Sequence, residues 1–272
     1  MPSLGASLAA SLAASLAAFL MALSAIDLLT GCAASDPDRM VRRSGFGFMS
    51  PQTQAMQRDD SLNPAMLWVQ EGEALWRQPQ GPAGKACETC HAGAPASLRG
   101  VAARYPAFDS HEQRPVDLAQ RINLCRVRHQ QTTPLAAEGQ PLLALTAYVA
   151  MQSRGRPIVA SNDAALAPNR ARGEALFRQR MGQLDLSCSS CHDGLQGRRL
   201  GGSLIPPADA APYPAYRLEW QSLGSLQRRI RNCLAGVRAE PFAYGALEMV
   251  ELELYLAARA GGLPMEAPGV RP

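Results

Sequence analysis

The sequence is poor in aromatic residues and has only a small excess of positive charge. Of its 272 residues, 6% are Phe, Trp or Tyr, and the formal net charge is +4. A basic excess this small gives no argument for a nucleic-acid partner. No stretch shows the apolar and polar alternation that is typical of β-strands, so an all-α fold is expected.

The chain also lacks a recognisable disulfide framework, although it has seven cysteines. Four of them, Cys87, Cys90, Cys188 and Cys191, form two CxxCH motifs. This motif attaches heme c through two thioethers, and its histidine supplies one axial ligand of the iron. A single copy could be a chance zinc or redox pair, but two copies in one repeated frame predict two covalently bound hemes c.

Both motifs belong to a longer frame that occurs twice. The frame consists of the segments GEALW (72–76), CETCH (87–91), RINLC (121–125) and YVA (148–150), then GEALF (173–177), CSSCH (188–192), RIRNC (229–233) and YLA (255–257). Fifteen residues separate the frame's first glycine from its first cysteine in both copies. The repeat predicts two tandem cytochrome c-like domains related by internal duplication.

Helix signals and composition divide the chain into five parts. Asn63-Pro64 and Ser225 are helix-start signals, and Gly261-Gly262 is a stop signal. The predicted parts are a signal peptide (1–34), a linker or loosely packed N-terminal arm (35–61), the first cytochrome c domain (62–153), a linker (154–168) and the second, catalytic cytochrome c domain (169–272).

The beginning of the chain resembles an export signal. Residues 4–26 are an uncharged run rich in Leu, Ala and Ser, although the usual positive residues are missing before Arg39. Attachment of heme c on the far side of the bacterial inner membrane independently requires export. We therefore expect the protein in the periplasm.

The cysteine that lies outside the repeat has its own interpretation. Leu29-Thr30-Gly31-Cys32 has the form of a lipoprotein signal, which predicts cleavage before Cys32 and a lipid anchor on it. Asp27 interrupts the apolar run, and simple cleavage after Ala34 or Ser35 is the alternative.

Two further cysteines recur at matched positions of the repeat. Electron-carrying c hemes commonly take a Met as sixth ligand, but no Met recurs between the halves, whereas Cys125 and Cys233 do. We therefore expect His91 and Cys125 to ligate the first heme iron, and His192 and Cys233 the second. The alternative is that both cysteines are small apolar residues of a helix face.

An arginine precedes each of these cysteines by one helical turn. Arg121 and Arg229 lie four residues before Cys125 and Cys233, so guanidinium and sulfur share a helix face. A cation there favours the thiolate. The arginines could pair with a heme propionate or hold an anionic substrate, and charge alone does not select the half that reacts.

The second half carries the run YPAYRLEWQ (213–221), then SLQRR (225–229), Cys233, VRAEPF (237–242) and Tyr244-Gly245. This run, and RINLCR (121–126) of the first half, resemble SoxA, the c-type cytochrome subunit of SoxAX thiosulfate-oxidising complexes. The resemblance covers nearly everything after residue 60.

This resemblance implies an L-cysteine S-thiosulfotransferase. Such a complex joins thiosulfate oxidatively to a cysteine of a SoxYZ carrier, and electrons leave through heme to a soluble cytochrome c. Carried over by position, Cys233 bears a persulfide intermediate besides binding iron, and Arg229 binds the substrate anion. The implied partners are a SoxX-like cytochrome c subunit, SoxYZ, the soluble acceptor and thiosulfate.

Two other functions compete with this one. A non-catalytic diheme electron-transfer cytochrome would have Met or His as sixth ligand. A diheme peroxidase would leave one iron open to peroxide, and the two matched cysteines have no explanation in it.

Overall fold

The computed structural model describes residues 43–91 and 93–272. The predicted signal peptide, the lipidation site at Cys32 and the first residues of the predicted arm lie outside this range. Within it, no helix is both long and apolar enough to cross a membrane.

Most of the regular structure in the described range is helical. The α-helices are α1 (Pro51–Arg58), α2 (Met66–Arg77), α3 (Cys87–Cys90), α4 (Ala94–Ser97), α5 (Leu118–Cys125), α6 (Gln140–Met151), α7 (Ala167–Arg178), α8 (Cys188–His192), α9 (Leu226–Gly236) and α10 (Leu247–Arg259). Short 3₁₀ turns cover Gly45–Phe48, Ala102–Arg104 and Ala164–Leu166, and a π-helical turn, Arg126–Gln130, continues α5.

The predominance of helices agrees with the predicted all-α class, although short strands accompany them. The strands are β1 (Ala107–Asp109), β2 (Arg114–Val116), β3 (Arg199–Leu200), β4 (Ser203–Leu204), β5 (Ala215–Arg217), β6 (Ser222–Gly224) and β7 (Gly269–Arg271). β1 pairs with β2, β3 with β4, and β5 with both β6 and β7. Each strand has two or three residues, too few for alternation to be recognised in the sequence.

In the first half, a close crossing of two helices explains two segments of the repeated frame. α2 packs against α6 through Gly72, where a Cβ atom would lie 2.1 Å from the Ala144 carbonyl oxygen. The rings of Trp76 and Tyr148 meet beside it with centroids 5.8 Å apart. Only glycine allows the two backbones to approach this closely.

The second half repeats this crossing with α7 and α10. A Cβ on Gly173 would lie 2.0 Å from the Glu251 carbonyl oxygen. The rings of Phe177 and Tyr255 pack beside it in a tilted arrangement, with centroids 5.3 Å apart. In each half, the repeated Gly lies on one helix of the crossing and the repeated Tyr on the other.

The predicted helix-start signals are confirmed in the second half and shifted in the first. Ser225 caps α9 by accepting a hydrogen bond from the Arg228 N–H at 3.1 Å. Asn63 instead caps a turn, accepting from the Ala65 N–H at 3.0 Å, and α2 begins at Met66.

The described part of the predicted loose arm, residues 43–61, is packed, which corrects that expectation. Ser50 caps α1 by accepting from the Thr53 N–H at 3.2 Å. Gln57 accepts a hydrogen bond at 3.0 Å from the N–H of Val270 in β7. Polar contacts rather than an apolar stripe hold this helix, so hydrophobic periodicity did not reveal it.

The two halves share an interface, because the described residues belong to one compact unit. Trp68 of the first half and Tyr216 of the second have ring centroids 5.9 Å apart. The Gln227 amide donates to the buried Asp117 carboxylate at 2.8 Å. A cavity of about 320 Å³ lies between the halves and is lined by residues of both, including Glu138 and Glu253.

Candidate active site

A hairpin followed by a helix carries the matched cysteine in each half. The hairpin β1–β2 leads into α5, which ends at Cys125, and the hairpin β5–β6 leads into α9, which carries Cys233. Both hairpins follow a Tyr-Pro pair whose tyrosine precedes the cysteine by twenty residues. The duplication therefore includes this unit as well as the segments recognised from sequence.

In the second half, the structure brings all the predicted site residues to one cavity. This cavity, of about 240 Å³, is lined by Cys188, Cys191, His192, Arg229 and Cys233. Its remaining walls come from the 203–213 segment and from apolar side chains of α7, α9 and α10, and residues of the 43–49 and 269–272 segments also contribute.

The imidazole of His192 is oriented from both sides. Its Nδ1 lies 2.8 Å from the carbonyl oxygen of Pro206, which makes Nδ1 the protonated nitrogen. The same ring interacts with the thiol of Cys233 and lowers its pKa. The backbone acceptor at Nδ1 leaves Nε2 as the nitrogen available for that interaction.

Charges around Cys233 favour its thiolate. Burial raises the pKa of the Cys233 thiol, but the His192 hydrogen bond and the charges of Arg229 and Arg217 outweigh burial, so the pKa lies below its ordinary value. A thiolate is the form that binds metal and attacks sulfur.

The first half brings its four predicted residues near one another in a more open setting. Cys87 and Cys125 are half-buried, whereas Cys90 and His91 are exposed. Cys125 is close enough to interact electrostatically with both cysteines of the CxxCH motif. The His91 ring lies against Trp76, with centroids 5.6 Å apart.

The arginine of the first half is neutralised by a buried carboxylate. Arg121 Nη1 lies 2.9 Å from Asp109 Oδ2, and Asp109 also pairs with Arg128. Desolvation raises the Asp109 pKa, but the N–H groups of Glu112 and His111 and the two arginines lower it to about 2. Asp109 therefore stays ionised and offsets the charge beside Cys125.

As a result, the two matched thiols have opposite pKa shifts. Burial raises the pKa of the Cys125 thiol, and Asp109 works against the lowering effect of Arg121 and Arg128. The position equivalent to Asp109, four residues after the hairpin tyrosine, is Arg217 in the second half. The sequence pattern did not single out Arg217. Aligning the two Tyr-Pro pairs would have shown that Arg217 takes the place of Asp109.

The donor set of each half suits a heme better than a bare metal ion. Within residues 43–91 and 93–272, no three His, Cys, Asp or Glu side chains cluster closely enough to hold an ion. A porphyrin supplies four ligands itself and needs only an axial pair, such as His192 and Cys233.

In the first half, two unsatisfied donors also fit a heme. Trp76 Nε1 and Arg126 Nε are buried and have no hydrogen-bond partner among the described residues. Trp76 contacts His91, and Arg126 interacts electrostatically with Cys87. Carboxylate groups of heme propionates are acceptors of the kind that these donors lack.

Helices crossing at a glycine, CxxCH motifs at short helices and axial candidates facing them define a c-type cytochrome. A family model described as the SoxA/TsdA cytochrome c domain matches residues 71–158 and 172–265. The chain belongs to the SoxA/TsdA cytochrome c family. It therefore carries covalently bound heme c, and the CxxCH cysteines are the residues that fit its attachment.

Individual relatives agree with this assignment. The chain is 35% identical over 229 residues to the L-cysteine S-thiosulfotransferase subunit SoxA of Rhodovulum sulfidophilum, covering 84% of this chain and 80% of that protein. It is 34% identical to the same subunit of Pseudaminobacter salicylatoxidans, covering 84% and 80%. Its structure is similar to the crystal structure of SoxXA from P. pantotrophus, with TM-score 0.81, 30% identity, and 84% of this chain and 86% of that chain covered.

Proposed function

We propose that this chain is the SoxA-like subunit of an L-cysteine S-thiosulfotransferase with two covalently bound hemes c. The relatives named above carry this activity in their names, and the resemblance extends over both halves of the chain. The enzyme joins thiosulfate to a cysteine of a SoxYZ carrier protein.

The reaction is an oxidation that balances with one proton and two electrons. The S–H bond of the carrier cysteine breaks, and a bond forms between that sulfur and the sulfane sulfur of thiosulfate. One proton and two electrons are released. When bound, heme supplies the electron acceptor, from which a soluble cytochrome c takes the electrons.

Within this chain, the second half provides the reacting residues. Cys233 would bond to the sulfane sulfur of thiosulfate as the two electrons leave, and would then pass the whole thiosulfate group to the carrier thiol, whose proton returns to Cys233. Hydrolysis of the group on Cys233, which releases sulfate, would leave the persulfide there. Arg229 binds the thiosulfate anion. Cys188 and Cys191 would hold a heme whose iron His192 and Cys233 would bind, and in the first half Cys87, Cys90, His91 and Cys125 would hold a heme in the same way.

The contrast between the two matched cysteines is the observation that supports this division of roles. Cys233 lines a cavity that two arginines also line, and its thiol pKa is lowered. Cys125 has its arginine neutralised by Asp109, and its thiol pKa is raised. An anionic substrate and a nucleophilic sulfur therefore fit the second half better.

The partners and the compartment follow from the same proposal. A SoxX-like cytochrome c forms the complex with this chain, a partner that the similarity to the SoxXA crystal structure supports. The leader predicts export to the periplasm, where Cys32 would carry a lipid anchor if the lipoprotein signal is used.

Paired substitutions test the assignment of the reacting sulfur. Cys233→Ala is expected to lower thiosulfate-dependent conjugation of the SoxYZ carrier by about 10³-fold or more, because the sulfur that forms the intermediate is gone. The matched variant Cys125→Ala is expected to retain conjugation within about 10-fold. Intact-mass analysis of the carrier measures both rates.

Peptide mass spectrometry of the wild-type protein supplies the second readout. An added sulfur atom is expected on the Cys233 peptide and not on the Cys125 peptide. Carrier conjugation at an undiminished rate in Cys233→Ala would contradict the proposal and favour a purely electron-carrying diheme cytochrome.

A further inference from the structure

Two guanidinium groups of the second half converge on a single oxygen atom. Arg217 Nε lies 2.8 Å from Glu219 Oε1, and Arg229 Nη1 lies 3.4 Å from the same oxygen. Both arginines line the cavity that contains Cys233, and both interact electrostatically with its sulfur. The two cations thus already bind one anionic group together.

The two arginines are held in place by different elements. Arg217 is on β5, its side chain is 9% exposed, and it packs over the Trp220 ring at 5.2 Å from the centroid. Arg229 is on α9, one turn before Cys233. An anion bound between the two is therefore positioned by the hairpin and the helix at once.

The carboxylate between them is the less firmly held partner. The Glu219 side chain is 46% exposed and lies in the turn between β5 and β6. Because nearly half of the Glu219 side chain is already exposed, the carboxylate can return to water when a second anion takes its place between the arginines.

We propose that Arg217 is a second substrate-binding residue, which with Arg229 binds the sulfonate end of thiosulfate after displacing Glu219. The inference rests on the proposed function. Guanidinium groups match the oxygen geometry of a sulfonate as they do that of a carboxylate or phosphate. Binding the sulfonate between Arg217 and Arg229 leaves the sulfane sulfur free to react beside Cys233.

The first half serves as an internal comparison. At the position of Arg217 it has Asp109, which is 1% exposed and binds Arg121 at 2.9 Å. This carboxylate is part of the fold and receives the N–H groups of His111 and Glu112 as well. It cannot leave for a soluble anion, so the arginine of the first half is not available to thiosulfate.

The test measures thiosulfate binding to the oxidised, heme-loaded protein by titration calorimetry, without carrier. Arg217→Gln is expected to raise the dissociation constant at least about 10-fold, the loss expected for a hydrogen bond to a charged group. Glu219→Gln is expected to lower it about 2- to 5-fold, because the competing carboxylate is removed. Arg238→Gln, at an exposed position two residues after the end of α9 and outside the cavity lining, is the charge-matched control and is expected to change nothing.

Steady-state assays with the carrier separate binding from chemistry. Arg217→Gln is expected to raise KM for thiosulfate more than it lowers kcat. An unchanged dissociation constant together with a shifted heme potential would show that Arg217 holds a heme propionate, and would overturn the inference. Because Glu219 is exposed, Glu219→Gln should fold normally. Weaker or unchanged thiosulfate binding in this variant would also overturn the inference.

The two proposals fail in different ways. If thiosulfate binding depends on Arg217 and Glu219 as expected but no carrier is conjugated, the substrate site stands and the transferase proposal fails. If the carrier is conjugated with the same KM in Arg217→Gln, the transferase stands and the role of Arg217 is wrong.

Discussion

Asp109 and Arg217 occupy the same place in the two halves and carry opposite charges. In the first half the carboxylate pairs with Arg121, and in the second the guanidinium adds to the charge of Arg229. This exchange of sign makes the surroundings of Cys233 more cationic than those of Cys125 and adds to the effects of His192 and Arg229 on the Cys233 thiol. Duplication supplied the same cysteine twice, and this neighbour distinguishes the two copies.

Asp109→Asn is expected to destabilise the protein by about 1 to 3 kcal/mol at pH 7, because charged hydrogen bonds to Arg121 and Arg128 are lost. The depressed pKa of Asp109 means that its contribution is present above the ordinary aspartate range and is lost as pH falls from about 4 toward 2. Urea unfolding at pH 7 and at pH 3 measures the difference, which should shrink at the lower pH.

Asp60→Asn is the control for this prediction. Asp60 pairs with Arg154 at 2.6 Å, but its side chain is 47% exposed. A surface pair of this kind contributes at most about 1 kcal/mol. An equal loss in both variants would contradict a special role for the buried carboxylate.

The residues proposed to react could be recognised in the sequence because their chemistry is tied to local spacing. The CxxCH motif and an arginine four residues before a cysteine are both short patterns, and the structure places His192, Arg229 and Cys233 around one cavity. Arg217 was not recognised, since its meaning depends on a contact across the hairpin and on comparison with Asp109.

At the scale of elements, the crossing of helices at Gly72 and at Gly173 determines how each half is built. The helices that meet there come from opposite ends of each half, and the CxxCH segment and the hairpin lie between them in sequence. This helix pair therefore positions the CxxCH segment and the hairpin of each half.

Gly72→Ala and Gly173→Ala are each expected to destabilise the protein by about 3 kcal/mol or more. The new methyl would overlap a backbone carbonyl, 2.1 Å away in one case and 2.0 Å in the other, and a backbone cannot yield as a flexible side chain does. Thermal unfolding followed by circular dichroism measures the loss.

Gly236→Ala provides the matched control at the end of α9, where a Cβ would meet nothing within 4 Å. Because alanine is the better helix former, this variant is expected to be neutral or more stable by up to about 1 kcal/mol. A similar loss in all three variants would contradict the close-crossing explanation.

Helices were predictable from sequence where periodicity and a cap agreed, as at Ser225 and α9. The hairpins were not, because three-residue strands carry no periodic signal and are stabilised by pairing. The helix α1 was missed for a related reason, since it is held by polar contacts to β7, which follows it by some 200 residues in sequence.

At the scale of the whole molecule, the interface between the halves contains buried acids. Desolvation raises the pKa of Glu253 well above its ordinary value, and the nearby charge of Asp117 raises it further. Desolvation likewise raises the pKa of Asp117, even though Gln227 donates a hydrogen bond to it. The interface is therefore more favourable when these carboxyls are protonated.

Glu253→Gln is expected to stabilise the protein by more than about 1 kcal/mol at pH 8 and to have little effect at pH 4. A raised carboxyl pKa gives stability that is complete below the ordinary glutamate range and is lost as pH rises above it. Melting temperatures of wild type and variant across this range measure the effect. The exposed Glu248 of the same helix is the control, and Glu248→Gln should show no such pH dependence.

The packing of the 43–49 and 269–272 segments against the second-half cavity has a consequence for biogenesis. Met49 and Arg271 contact each other across 222 positions of the chain, and both line the cavity beside Cys188 and Cys191. Contacts this distant in sequence form late in folding, because a long loop must close first. Until the two segments meet, this side of Cys188 and Cys191 stays open, so we expect heme attachment to precede closure of the wall.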